Sequence, residues 1–491
     1  MGRELTKPGD VFDREGEWAE LARFALSPGR GLRLGLMYGR RRQGKSFLLR
    51  RLAARTGGFY HQALEEERRP ALDRLGAALA AHLALPVGGV RFADWAEAAT
   101  ALARLGAKGK PRVVVLDEFP YLLAHSPELP SALQRAVDGS RAASGPAVRL
   151  VLCGSALCVM SGLLAGAQAL RGRASLEIVL RPFDFRQTAE FWGIGDPELA
   201  FQVHAIVGGT PGYQDLLDAR PPRSVRDLGR WLAEGVLNPA SAVFREDDYL
   251  LGEERTAAGR GVYHSVLGAI AGGATAEGRI AAALGRDQRG VQHALRVLER
   301  AGFVIREEDV LRRRRPVYRL ADPIVRFHQA VTRLDLSRFE ERRTEEAWAD
   351  AAPRYLSGVL GPHFENLARE FVRRYASAKT LGGRVGIVGP AVISDPAGRT
   401  RHQIDVVALR SEGGRRPGVR VLGEAKYSTR PMGLADLGRL QRIRDLLDGR
   451  GFDVSEAKLA LFSARGFQKG ITAALPGECE LVDFDRLYSG D

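Results

Sequence analysis

Residues 32–53, LRLGLMYGRRRQGKSFLLRRLA, restrict the fold more than any other part of the chain. An apolar run leads into a turn bearing two glycines, and the turn leads into an amphipathic stretch, which predicts strand, turn and helix. Gly39 to Ser46 fits the spacing G-x-x-x-x-G-K-S. The two glycines, Gly39 and Gly44, let backbone N–H groups wrap phosphate oxygens, and Gln43 completes the turn. Lys45 then reaches the β- and γ-phosphates, while Ser46 offers a hydroxyl to Mg²⁺. The helix that starts here, with Phe47 in its first turn, adds the positive end of its dipole.

A site of this kind needs an acid at the end of a buried strand, and RVVVLDEFPYLL supplies one. Val113–Leu116 is continuously apolar, as expected of a strand covered on both faces. Asp117 falls at its carboxyl end, placed to hold Mg²⁺ through water, and Glu118 is placed to activate an attacking water. A third apolar run, VRLVLCGS, ends in Ser155, which either senses the γ-phosphate or simply closes a turn. The segments together predict an α/β fold, a parallel sheet with helices on both faces and its ligand at the carboxyl ends of the strands. Hydrolysis of a nucleoside triphosphate is the natural reaction. No residue pattern identifies the base.

The ordered set FDREGEWAEL (12–21), YGRRRQGKS, LDEFPYL, LCGS, LRGR (170–173) and VGGTPGY (207–213) resembles the archaeal-type ATPases, a branch of the AAA+/STAND P-loop enzymes. That resemblance implies ATP as the nucleotide, self-association into an oligomer, and a place near the nucleotide for Arg14 and Glu15. It implies that Pro211 belongs to a nucleotide-sensing turn and that Arg173 is an arginine finger acting on a neighbouring subunit. The aromatic usual in the family's LYGR is Arg171 here, so the finger is either Arg171 or Arg173.

After residue 255 the pattern changes to short amphipathic helices punctuated by glycine. The run DQRGVQHALRVLERAGFV carries Val291, Leu295 and Leu298 at helical spacing, and GFVIREEDVLRRRRPVYRL reads as two strands around a turn. Three helices and a hairpin make a winged helix, whose third helix enters the major groove in DNA-binding examples. Arg289, Gln292, His293 and Arg296 lie off the apolar stripe and face DNA in that reading, with Arg312, Arg313, Arg314 and Arg315 on the wing against phosphates. The other reading packs the module on the ATPase as a lid.

From about residue 353 the segments HFENLAREFVRRY, RHQIDVVALR, RVLGEAKYS and LADLGRLQRIRDLL predict a helix, two strands joined by the loop SEGGRRPG, and another helix. Glu424 and Lys426 sit two apart on a strand and share a face, and Asp405 can meet Glu424 across a hairpin. Two carboxylates suit Mg²⁺, which acidifies water and polarises a phosphodiester, with an ammonium beside it. This part resembles the PD-(D/E)XK nucleases, as the C-terminal domains attached to archaeal-type ATPases do. The resemblance implies Asp405 and Glu424 as metal ligands, Lys426 as the catalytic lysine and Glu365 as a further acid, with Gln441 either joining them or only facing solvent. Whether such a domain cuts DNA or grips it without turnover is open at this level.

Composition adds limits. The net charge of +14 favours a polyanionic partner, but only eight of the 73 basic residues are lysines, which reads as genomic base composition and weakens arguments from arginine clusters. Lysine at 45 and 426, against that bias, points to a need for a compact ammonium. Cys153, Cys158 and Cys479 are too scattered for a zinc site or disulfide framework. No apolar run approaches a membrane span and the first residues lack a signal core, so a cytoplasmic protein is expected. The expected division is a P-loop ATPase domain at 1–250, a winged helix at 255–345 and a nuclease-like domain at 353–491. The expected activity is an ATPase coupled to Mg²⁺-dependent DNA cleavage. The alternative is a nucleotide-switched DNA-binding regulator or scaffold.

Overall fold

A computed structural model describes residues 5–106, 111–142, 146–218, 220–253, 260–411, 417–471, 477 and 479–491. The chain forms two compact units, the first comprising the chain up to Pro182, Thr210–Gly212 and a segment beginning at Asp248.

In the first unit, strands β1 (Leu32–Tyr38), β2 (Phe59–Gln62), β3 (Arg112–Asp117), β4 (Val148–Gly154) and β5 (Ala174–Val179) form one sheet in the order β2-β3-β4-β1-β5. Every neighbouring pair is parallel. The apolar run of β3 divides by alternation. Val114 and Leu116 enter a core with Leu34, Leu72, Trp95 and Leu150, while Val113 and Val115 enter a second with Trp18, Leu21, Leu49 and Val151. Both faces are therefore dry, which is why an uninterrupted apolar sequence is needed here. The exception is Arg149 in β4, fully buried. Its guanidinium donates to the Ser27 hydroxyl at 2.8 Å and to the carbonyls of Gly29 (2.9 Å), Gly31 (3.3 Å) and Val148 (2.9 Å), fastening the loop before β1. Burial pulls its pKa down to about 10.

The second unit holds Phe183–Gly209, Tyr213–Asp247 and the rest of the chain. Helices Arg260–Ala271, Glu277–Leu284 and Gln288–Arg300 precede an antiparallel hairpin of β6 (Val304–Asp309) and β7 (Arg312–Leu320). Helix 288–300 buries Val291, Ala294, Leu295, Val297 and Leu298, and Asp287 caps it by accepting from the Gly290 N–H at 3.2 Å. A mixed sheet follows: β8 (Val385–Asp395), β9 (Thr400–Arg410), β10 (Val419–Lys426), β11 (Lys458–Ser463) and β12 (Cys479–Val482), in the order β12-β11-β10-β9-β8. β8, β9 and β10 are antiparallel neighbours, whereas β10, β11 and β12 run parallel. The parallel crossover from β10 to β11 carries the helix Leu434–Asp448, whose Leu437, Leu440, Ile443 and Leu447 pack on the sheet.

The turn between β6 and β7 is tied into this second sheet. Val310 belongs to the same apolar cluster as Ile393 and Val407, its N–H donates to the Pro390 carbonyl at 3.1 Å, and Asp309 accepts from the Val392 N–H at 2.9 Å. The β6–β7 hairpin and the C-terminal sheet belong to one compact unit, and Val310 at the hairpin tip joins the sheet's core.

Beneath the sheet, His204 Nδ1 and His363 Nε2 lie 2.9 Å apart, both buried. Burial lowers the His204 pKa to about 4, and burial followed by His204 pushes that of His363 well below the usual histidine range. An unfolded histidine protonates near pH 6.5, so between pH 6.5 and 4 the unfolded chain binds more protons and gains stability relative to the fold. Urea unfolding followed by tryptophan fluorescence is expected to show a loss of about 2 kcal/mol between pH 7 and pH 5 from His204 alone. The loss shrinks in His204→Gln.

Candidate functional site

Two clusters of chemistry-bearing residues answer to the segments singled out in the sequence, one in each unit. In the first, the turn between β1 and the helix Lys45–Thr56 sits at the carboxyl ends of the strands, with β4 and β5 on either side of β1. Gly44 has φ 91°, a backbone region that favours glycine. Gly39 is demanded by space instead, since a Cβ there would lie 2.4 Å from the Leu180 carbonyl oxygen. Lys45 is 6% exposed and donates to the Arg40 carbonyl at 2.8 Å, so its ammonium is folded onto the loop that would cradle phosphates. Burial lowers its pKa, and Glu118, Asp117 and Glu253 pull it back. Ser46 is half-buried in the first helical turn. Gln43 is buried with its side-chain oxygen unpartnered, and Phe47 is exposed under the Arg51 guanidinium, 4.4 Å from the ring centre.

Asp117 ends β3, fully buried, and accepts from the Tyr60 hydroxyl at 2.5 Å and from the Glu118 N–H at 3.0 Å. Glu118 follows in a left-handed conformation, φ 53°, which turns its side chain away from the strand. It accepts weakly from the Ser155 hydroxyl at 3.4 Å, placing Ser155 beside it at the end of β4. Burial, then Asp117, raises the Glu118 pKa. A carboxylate with raised basicity beside a phosphate-binding loop suits removal of a proton from water. Glu118→Gln is expected to slow ATP turnover about 100-fold or more with nucleotide binding retained, as read by phosphate release and fluorescent-nucleotide titration.

The turn containing Pro211 approaches this loop: the Gly212 N–H donates to the Arg42 carbonyl at 3.1 Å. Glu253, which carries no signal in the sequence, pairs with Arg41 of the loop at 2.9 Å. Arg14 is buried, donates to the Arg181 carbonyl at 2.8 Å and pairs with Glu17 at 3.1 Å, whereas Glu15 is exposed and pairs with Lys7 at 2.7 Å. Arg173 lies just before β5, at the opposite end of the strand from Tyr38 and the loop. Five residues of strand put them roughly 16 Å apart, so it does not serve the phosphates of its own chain. Its guanidinium is held by Asp138 at 2.8 Å, while Arg171 donates to the Gly166 carbonyl at 2.7 Å.

The second cluster is in the C-terminal sheet. Leu422 faces Val407 and Gly423 faces Val406 across β10 and β9, and one further step in that register sets Glu424 opposite Asp405. Asp405 accepts from the Ala425 N–H at 2.9 Å, which fixes its carboxylate beside Glu424. Glu365 comes from the helix Gly361–Glu370. Burial, then Asp405, raises both Glu365 and Glu424 to about 7, and burial also raises Asp405. Asp405 opposes the ionisation of both Glu365 and Glu424, and Glu424 that of Glu365, through low-dielectric space.

Their cationic partners are also in place. Lys426 Nζ lies 3.7 Å from Glu424 and donates to Asp436, Arg439 pairs with Glu424, and buried Arg369 lies 3.9 Å from Glu365 and donates to the Asp405 carbonyl at 2.8 Å. Asp436 and Arg439 were not singled out from the sequence. They stand three apart on the helix Leu434–Asp448, so the row facing β10 was detectable by helical spacing. Gln441 is half-buried on the same helix. A hard divalent cation suits a set of carboxylate oxygens that repel one another, and Asp405 and Glu424, with Glu365, are the residues that would hold it.

Arg289, Gln292, His293 and Arg296 are all exposed on helix 288–300. Arg312 is exposed on β7, beside a turn that is packed and not free, and the side chains of Arg313, Arg314 and Arg315 lie outside the described residues, as does 412–416 of the loop joining β9 and β10. No helix among the described residues is long and apolar enough to cross a membrane.

Residues 11–213 match the family of ATPase domains found predominantly in Archaea. An uncharacterised protein of Methanocaldococcus jannaschii is 24% identical over 346 residues, 69% of this chain and 72% of its own length. Among solved structures, the Walker-type ATPase of Pyrococcus abyssi is 21% identical and covers 67% of this chain and 98% of its own, with a TM-score of 0.49. The ORC2 protein of Aeropyrum pernix, in ADPNP–ADP complexes, is 16% identical and covers 71% and 98%, with a TM-score of 0.42.

Proposed function

We propose that the chain hydrolyses ATP in its first unit and cleaves DNA, with Mg²⁺, in the C-terminal sheet. The observation that carries the second half is the register of β9 and β10 that sets Asp405 opposite Glu424, with both acids opposing ionisation of Glu365 and Lys426 beside Glu424.

In the ATPase, Lys45 leaves the Arg40 carbonyl for the β- and γ-phosphate oxygens, Ser46 and Asp117 face the accompanying Mg²⁺, and Glu118 takes the proton of the attacking water. Arg173, released from Asp138, serves the site of a neighbouring subunit. In the second site, Asp405 and Glu424 hold the cation, which when bound lowers the pKa of water and polarises the phosphodiester. Lys426 orients the attacking water or neutralises the extra charge on phosphorus, and Arg439 must give up Glu424 as substrate and cation arrive. Helix 288–300 offers Arg289, Gln292 and Arg296 to duplex DNA.

Nicking of supercoiled plasmid in Mg²⁺ tests the reading. Wild-type protein nicks, and Asp405→Ala and Lys426→Ala bind DNA but do not. Equal nicking by all three assigns the activity to something other than this cluster. A second reading is favoured by the pairing of Glu424 with Arg439: a site closed by its own arginine, which grips nucleic acid under nucleotide control and never cuts. It predicts DNA binding with no nicking by any of the three.

A further inference from the structure

Beyond the acid cluster, β8 and β9 run on into a hairpin tip, and this tip forms an open cavity of 620 Å³ lined by Ser394, Asp395, Pro396, Arg399, Thr400 and Arg401. Its one carboxylate is already satisfied. Asp395 is buried, accepts from the Gly398 N–H at 2.9 Å and from Arg442 Nε at 2.7 Å, and stays ionised with its pKa lowered to about 2. Arg399 and Arg401 are exposed and make no side-chain hydrogen bond or ion pair among the described residues. With Arg442 cancelling Asp395, the cavity carries two uncompensated positive charges.

Two features tie this cavity to the acid cluster. Arg401 and Asp405 are four residues apart on β9, roughly 14 Å along the strand, with a register shift of the pairing to β8 falling between Ile404 and Val407. Arg439, which pairs with Glu424, donates to the Gln403 carbonyl at 2.7 Å, between them, and Arg442 stands three residues further along the same helix. Arg399 is also held at φ 47°, a left-handed conformation that costs a non-glycine residue about 1 kcal/mol. The turn sets a guanidinium at the tip where glycine would sit without strain.

We propose that this hairpin tip is a phosphate-binding subsite for the nucleic-acid strand flanking the scissile bond. It rests on the reading that the Asp405–Glu424 cluster acts on nucleic acid. The strand runs along the face of β9, with a backbone phosphate held by Arg399 and Arg401 about four base steps from the cation-binding carboxylates, at roughly 3.4 Å of rise per step. Sequence plays no part in such a contact, which positions the strand and makes binding salt-dependent.

The experiment is a fluorescence-anisotropy titration of the full chain with a 24-bp duplex in Ca²⁺, across a series of NaCl concentrations. Wild type is compared with Arg399→Ala/Arg401→Ala and with Arg30→Ala/Arg91→Ala, exposed arginines elsewhere with the same change in net charge. The slope of log K against log [NaCl] is expected to flatten by about 0.9 in the hairpin variant, where one phosphate is no longer neutralised, and to stay at the wild-type value in the control. Binding by the hairpin variant is expected to weaken about fivefold or more at 100 mM salt. Equal slopes in the two variants overturn the subsite while leaving the cleavage reading standing, provided wild type nicks plasmid. Absence of duplex binding by wild type overturns both.

Discussion

Lys45→Ala is expected to lower ATP turnover by about 100- to 1,000-fold, the usual loss when a preorganised charge aimed at a developing phosphate charge is removed. The physical reason lies in the position of the ammonium. Lys45 is almost fully buried and held by the Arg40 carbonyl, so it is not a solvated charge that neighbours can replace. Lys45→Arg tests whether charge or shape matters. A planar guanidinium does not enter the slot that the ammonium occupies, so this variant is expected to lose most of the activity as well. Phosphate release measured at saturating ATP checks both, and near-wild-type turnover in Lys45→Arg would show that the slot is roomier than its burial implies.

Asp405→Ala is expected to lower Mg²⁺-dependent cleavage about 1,000-fold, since a bound cation supplies several kcal/mol of charge stabilisation and Asp405 is a carboxylate placed to hold it. Asp405 influences Glu365 and Glu424 more than any other charged group does. Removing it lets both remaining acids ionise more easily but leaves too few oxygens facing one point. Single-turnover cleavage with excess protein separates this loss from weaker DNA binding. Comparable rates for wild type and variant would remove Asp405 from the chemistry. Glu365→Gln, at the edge of the cluster and paired with Arg369, is expected to lose less than Asp405→Ala in the same assay.

The sequence made the β1–loop–helix segment legible because the chemistry of phosphate binding fixes glycines, lysine and serine at set intervals. It also made β3, β4, β9 and β10 legible, because long Val/Leu/Ile runs have few alternatives. It did not reveal β8, whose VGIVGPAVISD mixes glycine and proline with apolar residues and whose place is set by pairing with β9. Arg149 was invisible as a structural residue, since its partners are the carbonyls of a distant loop. The hairpin of β6 and β7 was legible as a hairpin with Arg312–Arg315 on it. The packing of its tip through Val310 and Asp309 was not, since one apolar residue there carries no signal by itself. Asp405, Glu424 and Lys426 were singled out by spacing and by resemblance. Asp436 and Arg439, which hold Glu424 and Lys426, needed the helix 434–448 to be laid on the sheet.

The central claim is that the carboxylates of β9 and β10 share a divalent cation. Manganese binding to the nucleotide-free chain, followed by electron paramagnetic resonance, tests it most directly, with wild type set against Asp405→Asn, Glu424→Gln and Asp117→Asn. Asp405→Asn and Glu424→Gln are expected to lose the tightly bound manganese that Asp117→Asn retains. Manganese binding that is unchanged in Asp405→Asn and lost in Asp117→Asn would contradict the account and assign the bound metal to the ATPase.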